Sequence, residues 1–294
     1  MDLHRYEGHL NPKPPYEFEH SKRFIRQAYL GDAVTDIEHT LTFPLLFQDQ
    51  CLIVSLRSRG KVESPLLMLT VHSPIELTDS QFADVQIRIQ SFLGLEEEIQ
   101  PLYSRGWDDD PFADILDKWY GYHQVRFSSP FASACYALLA QNGEVAAARA
   151  AWSRLLNRYG LAQEIDGQTL RTFPTASAVA SLTLADVEID LLGQTDRLQA
   201  VARSFSSRPE FSDAHTANKW LREETDLNEF GRQLVLTRGF GFTDTIFQTK
   251  EELLPLAQTI YGHNFTLDGV TERLAYYEGW QGYWLLHLQL AELE

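Results

Sequence analysis

The sequence predicts two unlike parts: a small α+β domain over residues 1–105, then an all-α bundle over residues 106–294. Three observations carry this. Between residues 40 and 73, three short runs rich in β-branched and aromatic side chains (TLTFPLLF, CLIVSLRS, PLLMLTVHS) are separated by turn-like pieces, the pattern of an antiparallel meander. After residue 105 that pattern gives way to helical periodicity throughout. Between them, PLYSRGWDDDPF (101–112) combines Pro, Gly and an acidic triplet and is the best linker candidate.

The elements follow in order. HSKRFIRQAYL (20–30) reads as a helix before the meander. LTDSQFADVQIRIQSFLGL (77–95) reads as a second helix, with Thr78 or Asp79 as N-cap and Gly94 near its stop. Strands plus two helices in about 100 residues make a small α+β unit. Beyond it, 111–123 is amphipathic. Residues 130–141 are almost wholly apolar and predict a central buried helix, and 144–160 is alanine-rich and ends in Gly. Further helices are expected at 175–181, 183–191, 195–206, 213–223, 228–238, 251–261 and 268–290.

Composition narrows the function classes. Hydrophobic residues make up 44% and aromatics 12%, which supports a real core and excludes a disordered chain. No stretch approaches the roughly 20 apolar residues of a membrane span, and the first residues lack a signal-peptide profile. A cytoplasmic, monomeric protein without membrane contact is expected. Cys51 and Cys135 lie in apolar runs and read as buried small hydrophobes. No Cys/His spacing fits zinc, so no metal or cofactor is expected. The net charge of −16 opposes non-specific attraction to phosphate, and neither part is basic. Residues 1–120 hold 20 acidic and 11 basic side chains, and the rest 21 and 14.

Four pieces of the second half, in order, resemble the helix-hairpin-helix DNA glycosylases, especially the DNA-3-methyladenine glycosylase II group. They are YGYHQVRFSSPFASACYALLAQNGEVAAARAAWSRLLNRYG (120–160), FPTASAVASLT (173–183), RGFGFTDTIF (238–247) and ERLAYYEGWQGYWLLHLQ (272–289). The resemblance covers nearly the whole chain. It implies a TATA-binding-protein-like N-terminal domain followed by a helix-hairpin-helix glycosylase-type bundle. It implies base excision: hydrolysis of the N-glycosidic bond of an alkylated or otherwise damaged base in double-stranded DNA.

Such a reaction passes through an oxocarbenium-like state that a carboxylate stabilises. The base must first leave the stack for an apolar or aromatic site. The resemblance places the carboxylate at Glu251 or Glu252, where the family has an aspartate. The residue-level alternative is that both are ordinary first-turn acids complementing a helix dipole. It places Gln141 and Asn142 in the duplex gap, although Asn142 equally reads as an N-cap for the next helix. The hairpin falls on ETDLNEFGR (224–232): Asp226 and Asn228 stand for its two glycines, Leu227 is the apolar residue between them, and Phe230 replaces a tryptophan. Leu227 and Asn228 are the DNA-contact candidates there. Phe230, Tyr283 and Trp284 are the base-pocket candidates, while Gln289 occupies the place of a stacking tryptophan. Aromatics at this spacing also suit a plain core. No lysine stands at the lyase position near Gly231 to Gln233, so a monofunctional enzyme is expected. Six acidic against two basic side chains in residues 210–229 oppose phosphate binding at the hairpin. The joint loss of the hairpin glycines and the aspartate motivates an alternative: a catalytically degenerate relative that binds damaged DNA or a protein partner.

Overall fold

A computed structural model describes residues 3–28, 35–37, 39–141, 144–182, 191–244, 246 and 248–291, with only the backbone described at 27–28 and 35–37. The N-terminal part is a five-stranded antiparallel sheet in the order β1-β5-β4-β3-β2. Its strands are β1 (His4–Leu10), β2 (Thr35–Ile37), β3 (Thr40–Phe47), β4 (Gln50–Ser58) and β5 (Leu67–Ser73). The three expected strands form its centre. β1 is an additional edge strand whose sequence, HRYEGHL, is mostly exposed and gives almost no apolar alternation. β3 and β4 join through Gln48 and Asp49, both at positive φ, in the tight turn that matches strand twist.

Helix α1 (Phe18–Ala28) covers one sheet face with α2 (Asp79–Leu93). Thr78 caps α2 in a reciprocal box with Gln81, and Gly94 ends it at φ +65°, as the sequence signals predict.

The expected linker is instead structured. It forms α3 (Gln100–Gly106) and the start of α4 (Asp110–Lys118), with Leu102, Tyr103 and Phe112 fully buried. The composition cue misleads because the middle acid of the triplet, Asp109, turns inward and finds partners elsewhere in the chain. One apolar core therefore runs from the sheet through residues 89–125. It takes in the C-terminal helices α11 (Lys250–Tyr261), α12 (Leu267–Tyr276) and α13 (Gln281–Ala291). A second core is built by α5 (Pro130–Ala140), α6 (Val145–Tyr159), α7 (Ala176–Ala180), α8 (Thr195–Ser206), α9 (Ala214–Glu224) and α10 (Glu229–Leu234). The almost wholly apolar α5 lies at its centre, as predicted, and Cys135 on it is a buried free thiol.

Three expectations need correction. The second part is not purely helical: β6 (Ala162–Ile165) and β7 (Gln168–Arg171) form a hairpin through Asp166 and Gly167, both at positive φ. The Asp-Gly pair is the signal that marks it. Leu170 of this hairpin packs on Cys51 and Ile53 of the central sheet. The expected helix 268–290 is two helices, α12 and α13, broken before Gln281 with Gly279 at φ +81°. The expected helix 228–238 is α10 followed by a π-helical segment, Val235–Phe240. The expected helix 183–191 falls almost wholly outside the described residues. No helix among the described residues is long and apolar enough to cross a membrane.

Candidate functional site

The two cores meet along a seam laid by the segments 123–127 and 238–242. Phe127 N–H donates to Arg238 O at 2.7 Å. Gly239 is needed because a Cβ there would lie 2.2 Å from Ser133 Oγ of α5. Gly241 has φ +84°, and a Cβ would fall 2.0 Å from Arg126 Cζ. Arg126 in turn donates to Glu97 Oε1 at 2.7 Å, and both side chains are largely buried. The other Glu97 oxygen accepts from Tyr283 of α13, whose own oxygen accepts from Gln124 N–H at 3.2 Å. Burial first, and the Glu97 charge second, hold the Tyr283 hydroxyl protonated far above its ordinary range.

A cleft of about 270 Å³ opens on this seam between α10, the π-helical segment and α13. Phe230, half-exposed, stands in its wall with Leu234, Leu285 and Leu286. Gln124, Gln233, Gln248 and Gln289 add polar amides. Among the described lining residues the only charged side chain is Arg238, and none is a carboxylate. The Arg238 guanidinium lies 4.7 Å from the Phe24 ring and 5.0 Å from the Phe127 ring, with Nε donating to Val125 O. Apolar walls, four amides and one cation suit a planar ligand with hydrogen-bonding edges.

The expected site residues are divided. Phe230 is at the cleft, and so is Gln289. Tyr283 and Trp284 are fully buried and are not among its lining residues; the Trp284 indole N–H donates to Tyr261 Oη at 3.1 Å. Their neighbours Gly282, Leu285 and Leu286 line the cleft instead. Glu252 closes a capping box, accepting from Thr249 N–H at 2.8 Å, and Glu251 is exposed on the same first turn. Neither lines the cleft, whereas Gln248, just before the helix, does. Sequence reasoning missed Gln124, Gln233, Gln248, Arg238 and Phe24. Arg238 and Gln124 stand inside the motif pieces that carry the resemblance, so a signal existed for those two.

The expected hairpin is a short turn between α9 and α10. Neither Asp226 nor Asn228 adopts positive φ. Asn228 is extended and caps α10, accepting from Gly231 N–H at 2.8 Å. Gln141 straps the turn: its Oε1 accepts from Asn228 N–H at 2.9 Å and its Nε2 donates to Asp226 O at 3.3 Å. Arg197 pairs with the Asp226 carboxylate at 2.5 Å and donates to its carbonyl at 2.7 Å, while Arg232 donates to Leu227 O at 2.8 Å. Leu227 is buried in the second core. Side chains thus close the turn that paired glycines make in the pattern the sequence resembles, and Asn142 lies outside the described residues.

An N-terminal antiparallel sheet, a helical region wrapped back onto it and a cleft beside a two-helix turn together make the fold of the helix-hairpin-helix DNA glycosylases. No family model matches the sequence, and no curated relative matches it. Solved structures do. The 3-methyladenine DNA glycosylase of Archaeoglobus fulgidus superposes with a TM-score of 0.76 over 96% of this chain and 97% of that one, at 14% identity. The 8-oxoguanine glycosylase/lyase of Clostridium acetobutylicum in its apo form superposes with a TM-score of 0.65 over 99% and 98%, at 11% identity. The same Clostridium enzyme bound to double-stranded DNA with cytosine opposite 8-oxoG gives 0.64 over the full length of both chains, at 11% identity.

Proposed function

We propose that this protein is a glycosylase-fold DNA-damage protein that takes an extruded or damaged base into the cleft beside Phe230 and retains it without hydrolysing its glycosidic bond. The observation that carries this is the lining of the cleft: four glutamine amides, one arginine and apolar walls, with no carboxylate among the described residues. Hydrolysis develops positive charge at the sugar, and Arg238 is the wrong sign to stabilise it. The DNA complex of a fold neighbour supports double-stranded DNA as the partner. A second reading is favoured by Glu251, exposed on the first turn of α11 three residues after the cleft residue Gln248. In that reading the protein is a monofunctional glycosylase for alkylated or otherwise damaged bases, with Glu251 as its carboxylate.

The test pairs two assays. Fluorescence anisotropy compares a duplex carrying an abasic analogue with its undamaged counterpart, and base release is followed on methylated and oxidised duplexes. The first reading expects preferential binding of the abasic duplex and no base release. Stacking against an aromatic ring is worth about 1–3 kcal/mol, so Phe230→Ala loses roughly five- to 150-fold of the preference. Base release that disappears in Glu251→Gln establishes the second reading instead. No binding to either duplex at low salt sinks both.

A further inference from the structure

The sheet has a second face, turned away from α1 and α2, that the cleft does not use. Its cross-strand rows can be read from the register. His9, Met68, Arg57 and Thr40 form one row, and Glu7, Thr70, Ser55 and Thr42 the next. Beyond these lies Arg5, paired in register with His72. A shallow groove runs across these strands, bounded by Arg5, His9, Arg57 and Arg59 and floored by Ser55 and Thr70. Glu7 is the only acid among its described lining residues, and Arg5 pairs with it at 2.5 Å. Arg57 and Arg59 are exposed, and no ion pair or side-chain hydrogen bond holds either one among the described residues.

We propose that this outer sheet face is a second DNA site, one that grips the phosphate backbone of undamaged duplex. The argument is charge complementarity. In a chain of net charge −16, the groove gathers three arginines against one carboxylate. Strand spacing and rise spread these cations over about 10 Å by 13 Å. The Debye length at 0.1 M salt is also about 10 Å, so the distant acids are screened while the local cations still act. Duplex DNA carries one charge per about 1.7 Å of axis, so such a patch spans several phosphates. The hydroxyls of Thr40, Ser55 and Thr70 supply the donors that commonly accompany arginine on phosphate and sugar. None of the described lining residues is Phe, Tyr or Trp, and His9 offers the one ring. One small imidazole is no series of platforms for successive unpaired bases, and this favours the duplex backbone over a single strand. The proposal does not depend on the cleft: a backbone grip needs no lesion.

The experiment is a salt titration of anisotropy with an undamaged 20-bp duplex on the full chain. Each phosphate contact contributes about 0.9 to the slope of log K against log salt. Arg57→Glu/Arg59→Glu is expected to lower the slope by about 1.8. The same arithmetic at 0.1 M salt, relative to 1 M, gives weakening on the order of 50-fold. The ratio of abasic to undamaged affinity stays unchanged in this variant, whereas Phe230→Ala alters the ratio and spares the slope. Arg57→Gln/Arg59→Gln, which introduces no repulsion, shows the same direction, and both variants melt with the wild type. Lys219→Glu/Arg222→Glu on α9 serves as a reversal of equal charge beside the turn. The proposal is overturned if the sheet variants keep the wild-type slope, or if the α9 variant lowers slope and affinity as much as they do. It also fails if wild type shows no binding to undamaged duplex at 50 mM salt. The cleft reading is judged separately, on the abasic duplex.

Discussion

Replacing Asp109 with alanine unfastens the C-terminal helices from the rest of the first core. One Asp109 oxygen accepts from Tyr261 Oη at 2.7 Å and from Tyr277 Oη at 2.9 Å, and Arg273 approaches the other at 3.5 Å. The carboxylate is 2% exposed and Tyr277 is fully buried. Two hydrogen bonds to a charged acceptor contribute about 1.5–3 kcal/mol each. Removing the acceptor strands two hydroxyls and a guanidinium, against which the relieved cost of burying a carboxylate must be set. Breaking a buried charged cluster from one side costs about 3–5 kcal/mol, and we take about 4. Unfolding entropy of about 2.1 cal/mol/K per residue gives about 0.6 kcal/mol/K for a chain of this length, so Tm falls by about 6 °C. Asp109→Asn keeps an acceptor and loses about half as much. Tyr277→Phe strands nothing on its own side and costs about 1–2 kcal/mol. Urea denaturation of Asp109→Ala, Tyr277→Phe and their double variant yields the coupling, expected to exceed 1 kcal/mol. An Asp109→Ala protein that melts within 1 °C of wild type, or a coupling near zero, refutes the role given to this cluster.

Two further outcomes are open to direct measurement. Gly241→Ala puts a Cβ at positive φ and forces the Arg126 guanidinium away from Glu97, so denaturant unfolding should show a loss of about 2–4 kcal/mol; a loss under 0.5 kcal/mol counts against the close approach. Burial depresses the His287 pKa from 6.5 to about 4, so the unfolded chain takes up its proton first as pH falls. Stability from this group is complete above pH 6.5 and drains away between pH 6.5 and 4, by about 2 kcal/mol at pH 5. His287→Gln should flatten that part of the pH profile, and an unchanged profile removes His287 as its source.

Much of the fold is legible in the sequence because its signals are local. The three β-branched runs pair as expected, and Thr78 and Gly94 bound α2 through cap chemistry that needs only neighbours. What failed depends on distant partners or on weak patterns. The acidic triplet looks like a linker until Tyr261 and Tyr277, more than 150 residues away, supply donors to Asp109. Edge strand β1 has solvent on much of its length and so carries almost no periodic signal. The site was less legible still. Tyr283 and Trp284 sit on the helix that borders the cleft, but α13 has buried side chains around most of its circumference. Spacing alone therefore does not say which of its residues meet the opening; Gly282, Leu285, Leu286 and Gln289 do.

The residues that carry the likeness to glycosylases are mainly those that hold the seam together. Arg126 meets Glu97, Phe127 meets Arg238, Gly239 admits Ser133, and Gly241 admits Arg126. These contacts fix where α5, α13 and the π-helical segment sit, so they preserve the cleft whatever chemistry it performs. The cleft is lined by residues of both kinds: Gln124, Arg238, Leu285 and Leu286 stand inside the pieces that carry the likeness, while Phe230 and Gln289 stand where the resemblance implies other residues. In the turn, Asn228 is extended where the resemblance implies a glycine, and at the cleft Phe230 and Gln289 each stand for a tryptophan. The seam therefore fixes where the cleft lies, and the side chains that line it decide what it can hold. That is why the lining of the cleft, with no carboxylate among the described residues, bears on function more directly than does the likeness of the whole chain.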